Sequence, residues 1–414
     1  MRLAFISGFA WEPKGTARAR AFPLAAELVK RGHAVTLFLT PYDNPDDSGV
    51  ERELEGVRVV NVKVGKRPGL RHAPLLAAKL CQAVQACSPD VVHVFKPKGY
   101  AGAACSWFLM RGSPRVVLDC DDWEGWGGWN EVSTYPWLIK EYIDRQERWL
   151  IRRAPVVTAA SRTLVQRSLA LRQSQDGVFY IPNCGASRQN LRHQETALAL
   201  GSDTAKEAFG LAGQPVIFYS GQVAAGEEAM FFARTAARAA LRCRAIVVTV
   251  GEGPGIAQIR EYFSREGVAA RFFPRLPYRE YVGLLAASDI AVFPYPDDPV
   301  HQAKCSARIV DYMNMGKAVL TTAVGQNQEY IVPGESGILA PAGDENQFGW
   351  ELERLLQSPQ LRTQLGRAAR RRSGEKFSWS GEPIETCLAA YRHLLKAELP
   401  VSRLRSISAN PRSE

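Results

Sequence analysis

The chain alternates strand-like and helix-like segments, stops, and then begins alternating again. That doubled pattern constrains the fold more than any single motif. Residues 2–7 read as a strand, 21–31 as an amphipathic helix stopped by Gly32, and 34–39 as the next strand. Short apolar runs follow at 57–62, 91–95, 116–118, 156–159 and 179–181, with helical stretches between most of them. Pro182-Asn183-Cys184-Gly185 ends the series, and a polar stretch runs to about residue 213. The pattern restarts at 216–219 and continues through 245–250, 271–273 and 290–293 to about residue 377. Strands alternating with helices predict parallel sheets covered on both faces. The interruption predicts two successive doubly wound α/β units, and 414 residues suffice for two such cores.

The second unit holds the most informative segment, SDIAVFPYPDDPVHQAKCSARIVDYMNMGKAVLTTAVGQNQEYI at 288–331. It reads as a strand at 290–293, a long polar loop, a helix opening at Ser306 and stopping at Gly316, and a strand at 318–321. Ser306 suits the N-cap, and Arg308 falls in the first turn, where the helix dipole disfavours a cation unless an anion binds there too. A loop feeding a helix start beside Lys304 and Arg308 is a natural diphosphate cradle. Asp311, one turn deeper, has the chemistry to accept hydrogen bonds from two adjacent ribose hydroxyls. The segment resembles the donor-binding region of retaining glycosyltransferases built from two facing Rossmann-like domains, the GT-B architecture, and specifically the family-4 group.

The resemblance runs to about residue 397. APVVTAAS at 154–161 and IPNCG at 181–185 are similar to the last two strands of that family's N-terminal domain. VGEGPG at 250–255 is similar to the glycine-rich turn of its C-terminal domain. FSWSGEP at 377–383 and the helical stretch after it resemble its terminal helix, which crosses back to the first domain. The implied organisation is an acceptor-side domain at 1–190, a linker at 191–213, a nucleotide-sugar domain at 214–380 and a crossover helix at 381–397. The Ser/Arg-rich tail at 398–414 lacks periodicity and is expected to be disordered. The implied reaction moves a sugar from a nucleotide-sugar donor to a hydroxyl acceptor, on a glycan or a lipid, with retention at the anomeric carbon. No cofactor and no obligatory metal are implied. Lys304 and Arg308 would stabilise the diphosphate as catalytic cations. Gly221, Gly253, Cys305 and Ser306 would line the donor site, the turn with Arg275 and Leu276 would hold the base, and Asp311 the ribose.

This chain also departs from the family pattern. Many members carry two glutamates separated by seven residues around the donor helix; here Asp311 stands for the second and Ala303 for the first. The usual Arg and Lys after the second unit's first strand are Gln222 and Glu227. A non-catalytic relative, binding a sugar nucleotide or acting as a partner subunit, therefore stands as an alternative. So does a sugar-nucleotide epimerase of the same architecture.

In the first unit, GFAWEPKGTARAR at 8–20 lies between a strand and a helix. Gly15 lets the backbone approach a ligand, and Arg18 and Arg20 add positive charge. The resemblance makes this the loop that reaches toward the donor diphosphate; a plain turn with solvated arginines is the alternative. GxGxxG is absent, which argues against a nicotinamide dehydrogenase. LDCDDWEGWGGW at 118–129 holds four carboxylates and three tryptophans after a strand. Asp119-Cys120-Asp121 has the DxD form of the metal motif in the other large glycosyltransferase fold, a match that the second Rossmann-like unit makes coincidental. By resemblance this strand end faces the interdomain cleft, and Asp121 and Asp122 stand where many members carry an acceptor-side histidine. Carboxylates can hydrogen-bond or deprotonate an acceptor hydroxyl, and Trp123 can stack on a sugar; capping of a helix by Asp122 is the alternative. VVHVFKPK at 91–98 ends a strand with Lys96 and Lys98, placed as acceptor contacts, and His93 reads as structural.

Eight cysteines are scattered without CxxC or metal-ligand spacing, which predicts reduced thiols in the cytoplasm. The first apolar run, 3–6, is too short for a signal peptide. The longest uncharged run of the first half, 100–110, falls short of the roughly 20 residues a spanning helix needs. The net charge is +10, with Lys63, Lys66, Arg67, Arg71 and Lys79 in the first half and a basic run at 367–372. Solvated faces explain such clusters, and so does attraction to an anionic membrane surface, which predicts peripheral association through the first unit. No reader module and no aromatic–basic interleaving point to nucleic acid.

Overall fold

The computed structural model describes residues 1–12, 15–65, 73–112, 115–185 and 187–396. Lys66, Arg67 and Arg71 and the tail at 398–414 lie outside the described residues. The chain divides into two compact units, Met1–Ile181 together with the segment from Pro383, and Pro182–Glu382.

The first unit is built on eight strands: β1 (Arg2–Ser7), β2 (Ala34–Leu39), β3 (Glu51–Leu54), β4 (Val57–Asn61), β5 (Val91–Phe95), β6 (Arg115–Cys120), β7 (Val156–Ala159) and β8 (Val178–Tyr180). They are ordered β3-β4-β2-β1-β5-β6-β7-β8, parallel throughout except for the antiparallel edge pair β3 and β4. Its first helices are α1 (Phe22–Lys30), α2 (Ala73–Ala86), α3 (Gly99–Met110), α4 (Trp129–Val132), α5 (Trp137–Arg153) and α6 (Arg162–Arg172). Every residue of β5 is buried, the near-continuous apolar reading expected of a strand covered on both faces. Strand order reverses between β1 and β5, so the loops leaving those two strands open at a topological switch point, where sheets of this class hold ligands.

The second unit carries β9 (Val216–Gln222), β10 (Ile246–Glu252), β11 (Ala270–Phe273), β12 (Ile290–Phe293), β13 (Ala318–Thr322) and β14 (Ile338–Ala340). Their order is β11-β10-β9-β12-β13-β14 with every pair parallel, and its switch point lies between β9 and β12. Its helices are α7 (Arg188–Leu200), α8 (Ser202–Ala208), α9 (Glu227–Cys243), α10 (Gly255–Glu266), α11 (Tyr278–Ala286), α12 (Pro299–Ala303), α13 (Ala307–Asn314), α14 (Asn327–Tyr330), α15 (Glu345–Gln357) and α16 (Pro359–Lys376). The stretch read as a linker is thus helical over most of its length, and α7 packs along α11. The polar loop expected before Ser306 likewise contains α12, whose N-cap Asp298 accepts from the backbone N–H of His301 at 3.0 Å.

The last helix, α17 (Glu382–Lys396), belongs almost entirely to the first unit. Ile384, Cys387, Ala390, Tyr391 and Leu394 are buried, while Leu388 and Leu395 flank that stripe half-buried. Its tyrosine hydroxyl meets His93 Nδ1 on the central strand β5 at 2.8 Å. The apolar stripe legible in the sequence therefore finds its cover on the first sheet. Among the described residues no helix is long and apolar enough to cross a membrane.

Candidate active site

In the second unit the site residues gather on the segment between β12 and α13. Ser306 caps α13, its hydroxyl accepting from the backbone N–H of Arg308 at 3.3 Å. The Arg308 side chain is exposed and, among the described residues, forms no hydrogen bond or ion pair. Its charge reaches the buried phenols of Tyr219, Tyr281, Tyr295 and Tyr312 beneath it, opposing the upward push that burial gives each of them. The Lys304 ammonium sits 5.1 Å from the centre of the Tyr295 ring. Facing it is Glu228, at the start of α9; burial holds this carboxyl above its ordinary range, and the charge of Lys304 works against that shift. Two cations therefore stand at the carboxyl end of β12, with an acidic residue opposite one of them.

The other expected donor contacts divide into supports and candidates. Cys305 is buried and structural: its carbonyl accepts from Asn183 Nδ2 at 2.6 Å, and its thiol lies 3.0 Å from Tyr330 Oη. Asp311 is oriented from the side, Oδ1 accepting from Tyr278 Oη at 2.8 Å and from Gln194 Nε2 at 3.0 Å. Neither Tyr278 nor Gln194 was expected, because α7 and α11 meet α13 only in three dimensions. Gly253 answers a backbone demand. Its φ is +124°, and a Cβ there would come within 2.3 Å of the Val223 carbonyl, so the loops after β9 and β10 could not close on each other. Gly251 has the same role against the Gly221 carbonyl, which sets Gly221 at that junction. Arg275 and Leu276 lie in the turn after edge strand β11, which two strands separate from β12.

In the first unit, Arg20 is the clearest correction. The chain after β1 enters a π-helical turn (Ala17–Ala21) that drives Arg20 inward, 2% exposed, onto Asp119, with Nε and Nη2 donating to its two oxygens at 2.7 Å each. Thr158 Oγ1 donates to Asp119 at 2.6 Å and lies 3.3 Å from His93 Nε2. Burial lowers the His93 pKa to about 4, the nearby carboxylate of Asp119 only partly opposing. Arg20, Asp119, Thr158, His93 and Tyr391 thus form one buried polar network that links the first loop, three strands and α17. Arg20 adds no charge to a ligand site, and Asp119 is not half of a chelating DxD pair. Arg18 pairs with Glu12, and Gly15 stands in open space, its carbonyl accepting from the Ala19 N–H at 2.8 Å.

Lys96 and Lys98 meet the acidic segment after β6. The buried Lys96 ammonium lies 3.2 Å from Asp121 Oδ1 and 3.0 Å from Glu124 Oε1 and also bonds Asp122; Lys98 pairs with Glu124. Lys96 reaches this position with φ +75°, a left-handed conformation costly for a lysine, so the neighbouring contacts hold it there. Burial pushes the Asp121 carboxyl up to about 7, against the pull of Lys96. The three carboxylates of Asp121, Asp122 and Glu124 lie within 4.8 Å of one another, a chemistry able to hold a divalent ion, and the cation paired with them is the lysine. Glu124, missed in the sequence, binds both lysines. Its backbone N–H donates to Glu147 Oε1 at 3.0 Å, and Gly125 N–H to Glu147 Oε2 at 2.9 Å. Trp123 is clamped: a Cβ on Gly127 or Gly128 would come within 2.6 Å or less of it, and the Arg167 guanidinium lies 4.7 Å from its ring. The charge of Glu124 reaches the Tyr42 phenol, whose ring centre lies 5.1 Å from that of Tyr100.

Residues 15–184 match the family model of glycosyl transferase 4-like domains, and residues 214–358 that of glycosyl transferases group 1. The chain belongs to the GT-B glycosyltransferases. It is 22% identical over 342 residues to a sulfoquinovosyl transferase of Arabidopsis thaliana, covering 80% of this chain and 62% of that one. It is 23% identical over 178 residues to the alpha-D-kanosaminyltransferase of Streptomyces kanamyceticus, covering 42% of this chain and 45% of that one. The chain thus spans less than two thirds of either relative's length. Among solved structures, sucrose-phosphate synthase from Thermosynechococcus elongatus superposes with a TM-score of 0.72 at 19% identity, covering 96% of this chain and 100% of the other. HepE of Anabaena, in complex with UDP and glucose, gives 0.68 at 16% identity, covering 95% and 99%. At such identities the likeness to these structures is one of fold. In this chain the strand ends that a GT-B fold offers to ligands carry Lys304 and Arg308 in one unit and the Lys96 cluster in the other.

Proposed function

We propose that this chain transfers a sugar from a nucleotide-sugar donor, held by the second unit, to a hydroxyl acceptor on a glycan or lipid-linked molecule, with retention at the anomeric carbon. The observation that carries the reading is the exposed guanidinium of Arg308, unengaged among the described residues, above a capped helix start with Lys304 beside it. Breaking a glycosyl–phosphate bond leaves charge on the departing diphosphate and an oxocarbenium-like sugar. Fixed cations and helix-start amides stabilise that charge, and losing one such group costs about 2.7–4 kcal/mol of barrier. Asp311, oriented by Tyr278 and Gln194, is assigned the ribose hydroxyls, and the turn with Arg275 and Leu276 the base. In the first unit Asp122 is the more accessible carboxylate, its side chain 23% exposed, and is assigned the acceptor hydroxyl; Asp121, poised near 7, supports it. No metal takes part in this scheme. All eight cysteines are free thiols, six of them buried, which supports a reducing compartment, the cytoplasm.

A sugar-nucleotide-binding relative without turnover is the second reading, favoured by Gln222 and Glu227, which stand where the family carries basic residues, and by Ala303. Hydrolysis assays on a panel of uridine, adenosine and guanosine diphosphate sugars separate the two. Turnover supports the transferase, and saturable binding without turnover supports the binder. Neither binding nor turnover across the panel would contradict both. The anomeric configuration of the product, read by proton NMR, tests retention.

A further inference from the structure

The exposed large apolar side chains are unevenly spread. Val132, Tyr135, Trp137, Leu138 and Tyr142 all lie in one stretch from the end of α4 into the first turns of α5, with Trp137 63% and Leu138 73% exposed. Along α5, Leu138, Tyr142, Arg145 and Trp149 follow at helical spacing and share the exposed face. Arg145 and Arg148 point outward from it, 76% and 48% exposed. They pair with Glu141 at 2.7 Å and Asp144 at 3.6 Å, and the acids of the helix also reach inward. Glu147 holds the N–H groups of Glu124 and Gly125, Asp144 accepts from the Trp126 N–H at 3.1 Å, and Glu141 from the Trp126 indole at 3.1 Å. Each acid is less exposed than its arginine partner, Glu141 26% and Asp144 8%, so the outer face presents tryptophan, tyrosine and leucine with mainly basic charge. Tryptophan and tyrosine favour the headgroup level of a bilayer, and a helix that pairs them with arginine lies in its plane.

We propose that this face of α5, with the lip at 132–138, docks the first unit on an anionic bilayer surface. The lip also adjoins the candidate acceptor site. Tyr135 is near enough to Tyr42 to disfavour its ionisation, and Tyr42, which packs on Tyr100, is also reached by the charge of Glu124 in the Lys96 cluster. Docking stands on this surface alone, whereas a lipid-linked acceptor delivered from it rests on the proposed function.

The test is co-sedimentation of the full chain with phosphatidylcholine vesicles, with and without phosphatidylglycerol, at low and high salt. The wild type sediments with the anionic vesicles and is released as salt rises. Trp137→Ser/Leu138→Ser/Tyr142→Ser and Arg145→Glu/Arg148→Glu each lower the vesicle partition coefficient about tenfold or more, since each reversed arginine contributes on the order of 1 kcal/mol near the surface. Unchanged melting shows that both variants are folded, and donor hydrolysis, measured alongside, reports the catalytic reading separately. Vesicle binding equal to the wild type in the triple variant would overturn the proposal. So would absence of wild-type binding at low salt, or a dimer that the triple variant dissociates without any vesicle binding.

Discussion

Lys96→Met removes the cation from the carboxylate cluster while keeping a long side chain and the same strained backbone position. At an effective dielectric constant of about 20, charges 3.0–3.2 Å apart attract by about 5 kcal/mol per pair. Desolvation of the buried ammonium opposes most of that, so the net cost of leaving Asp121, Asp122 and Glu124 without their partner is about 3–5 kcal/mol. The sign with pH follows from Asp121. Its folded pKa is raised, to about 7, so its favourable contribution is full below the ordinary carboxyl range and is lost as pH rises through 7. Without Lys96 the carboxyl is pushed further up and repels its neighbours once ionised. The penalty should therefore be smaller at pH 5 than near pH 8. Denaturant unfolding of the first unit at the two pH values measures it. Amide exchange at Glu124, Gly125 and Trp126 localises it, because those N–H groups are held by Glu147 and Asp144. Equal stability of variant and wild type at pH 8, or a penalty independent of pH, would refute this account of the cluster.

His93 has a folded pKa lowered to about 4, so between about 6.5 and 4 only the unfolded chain takes up the proton, and wild-type stability falls as pH drops through that window. The drop attributable to His93 is about 3 kcal/mol, and His93→Gln should remove that part of the pH dependence seen in unfolding curves. Tyr391→Phe leaves a buried imidazole nitrogen without its partner and should destabilise the first unit by about 1–3 kcal/mol in the same assay. Tyr278→Phe frees Asp311 to turn and should weaken nucleoside diphosphate binding, as should Asp311→Asn; unchanged calorimetric affinity in both would remove the ribose assignment.

Much of this fold is legible along the chain because its signals are local. The switch from period 2 to period 3.6, the glycine stops and the Ser306 cap all lie within one turn or strand of the residue they act on. The apolar stripe of α17 could be read for the same reason. The antiparallel strand β3 escaped because its residues, Glu51-Arg52-Glu53-Leu54, are mostly charged at a sheet edge. Helices α7 and α8 escaped because they are polar enough to read as a connection. The site residues that were misjudged depend on distant partners. Arg20 looks like a solvated arginine until the fold brings Asp119, ninety-nine residues on, against it. Cys305 resembles a ligand contact until Asn183 and Tyr330 enclose it. Glu124, Glu147 and Gln194 gave no local signal, since their roles exist only where separate elements meet. The Lys304–Arg308 segment was readable because its chemistry, a capped helix start with two cations, is contiguous.

The central claim is that the start of α13 holds the donor diphosphate, and calorimetric titration of UDP, ADP and GDP tests it most directly. The wild type should bind at least one of them, and Arg308→Ala and Lys304→Ala should each weaken that binding about tenfold or more while melting with the wild type, as loss of a charge-assisted hydrogen bond worth about 1.5–3 kcal/mol requires. Folded variants that bind the nucleotide as tightly as the wild type would contradict it.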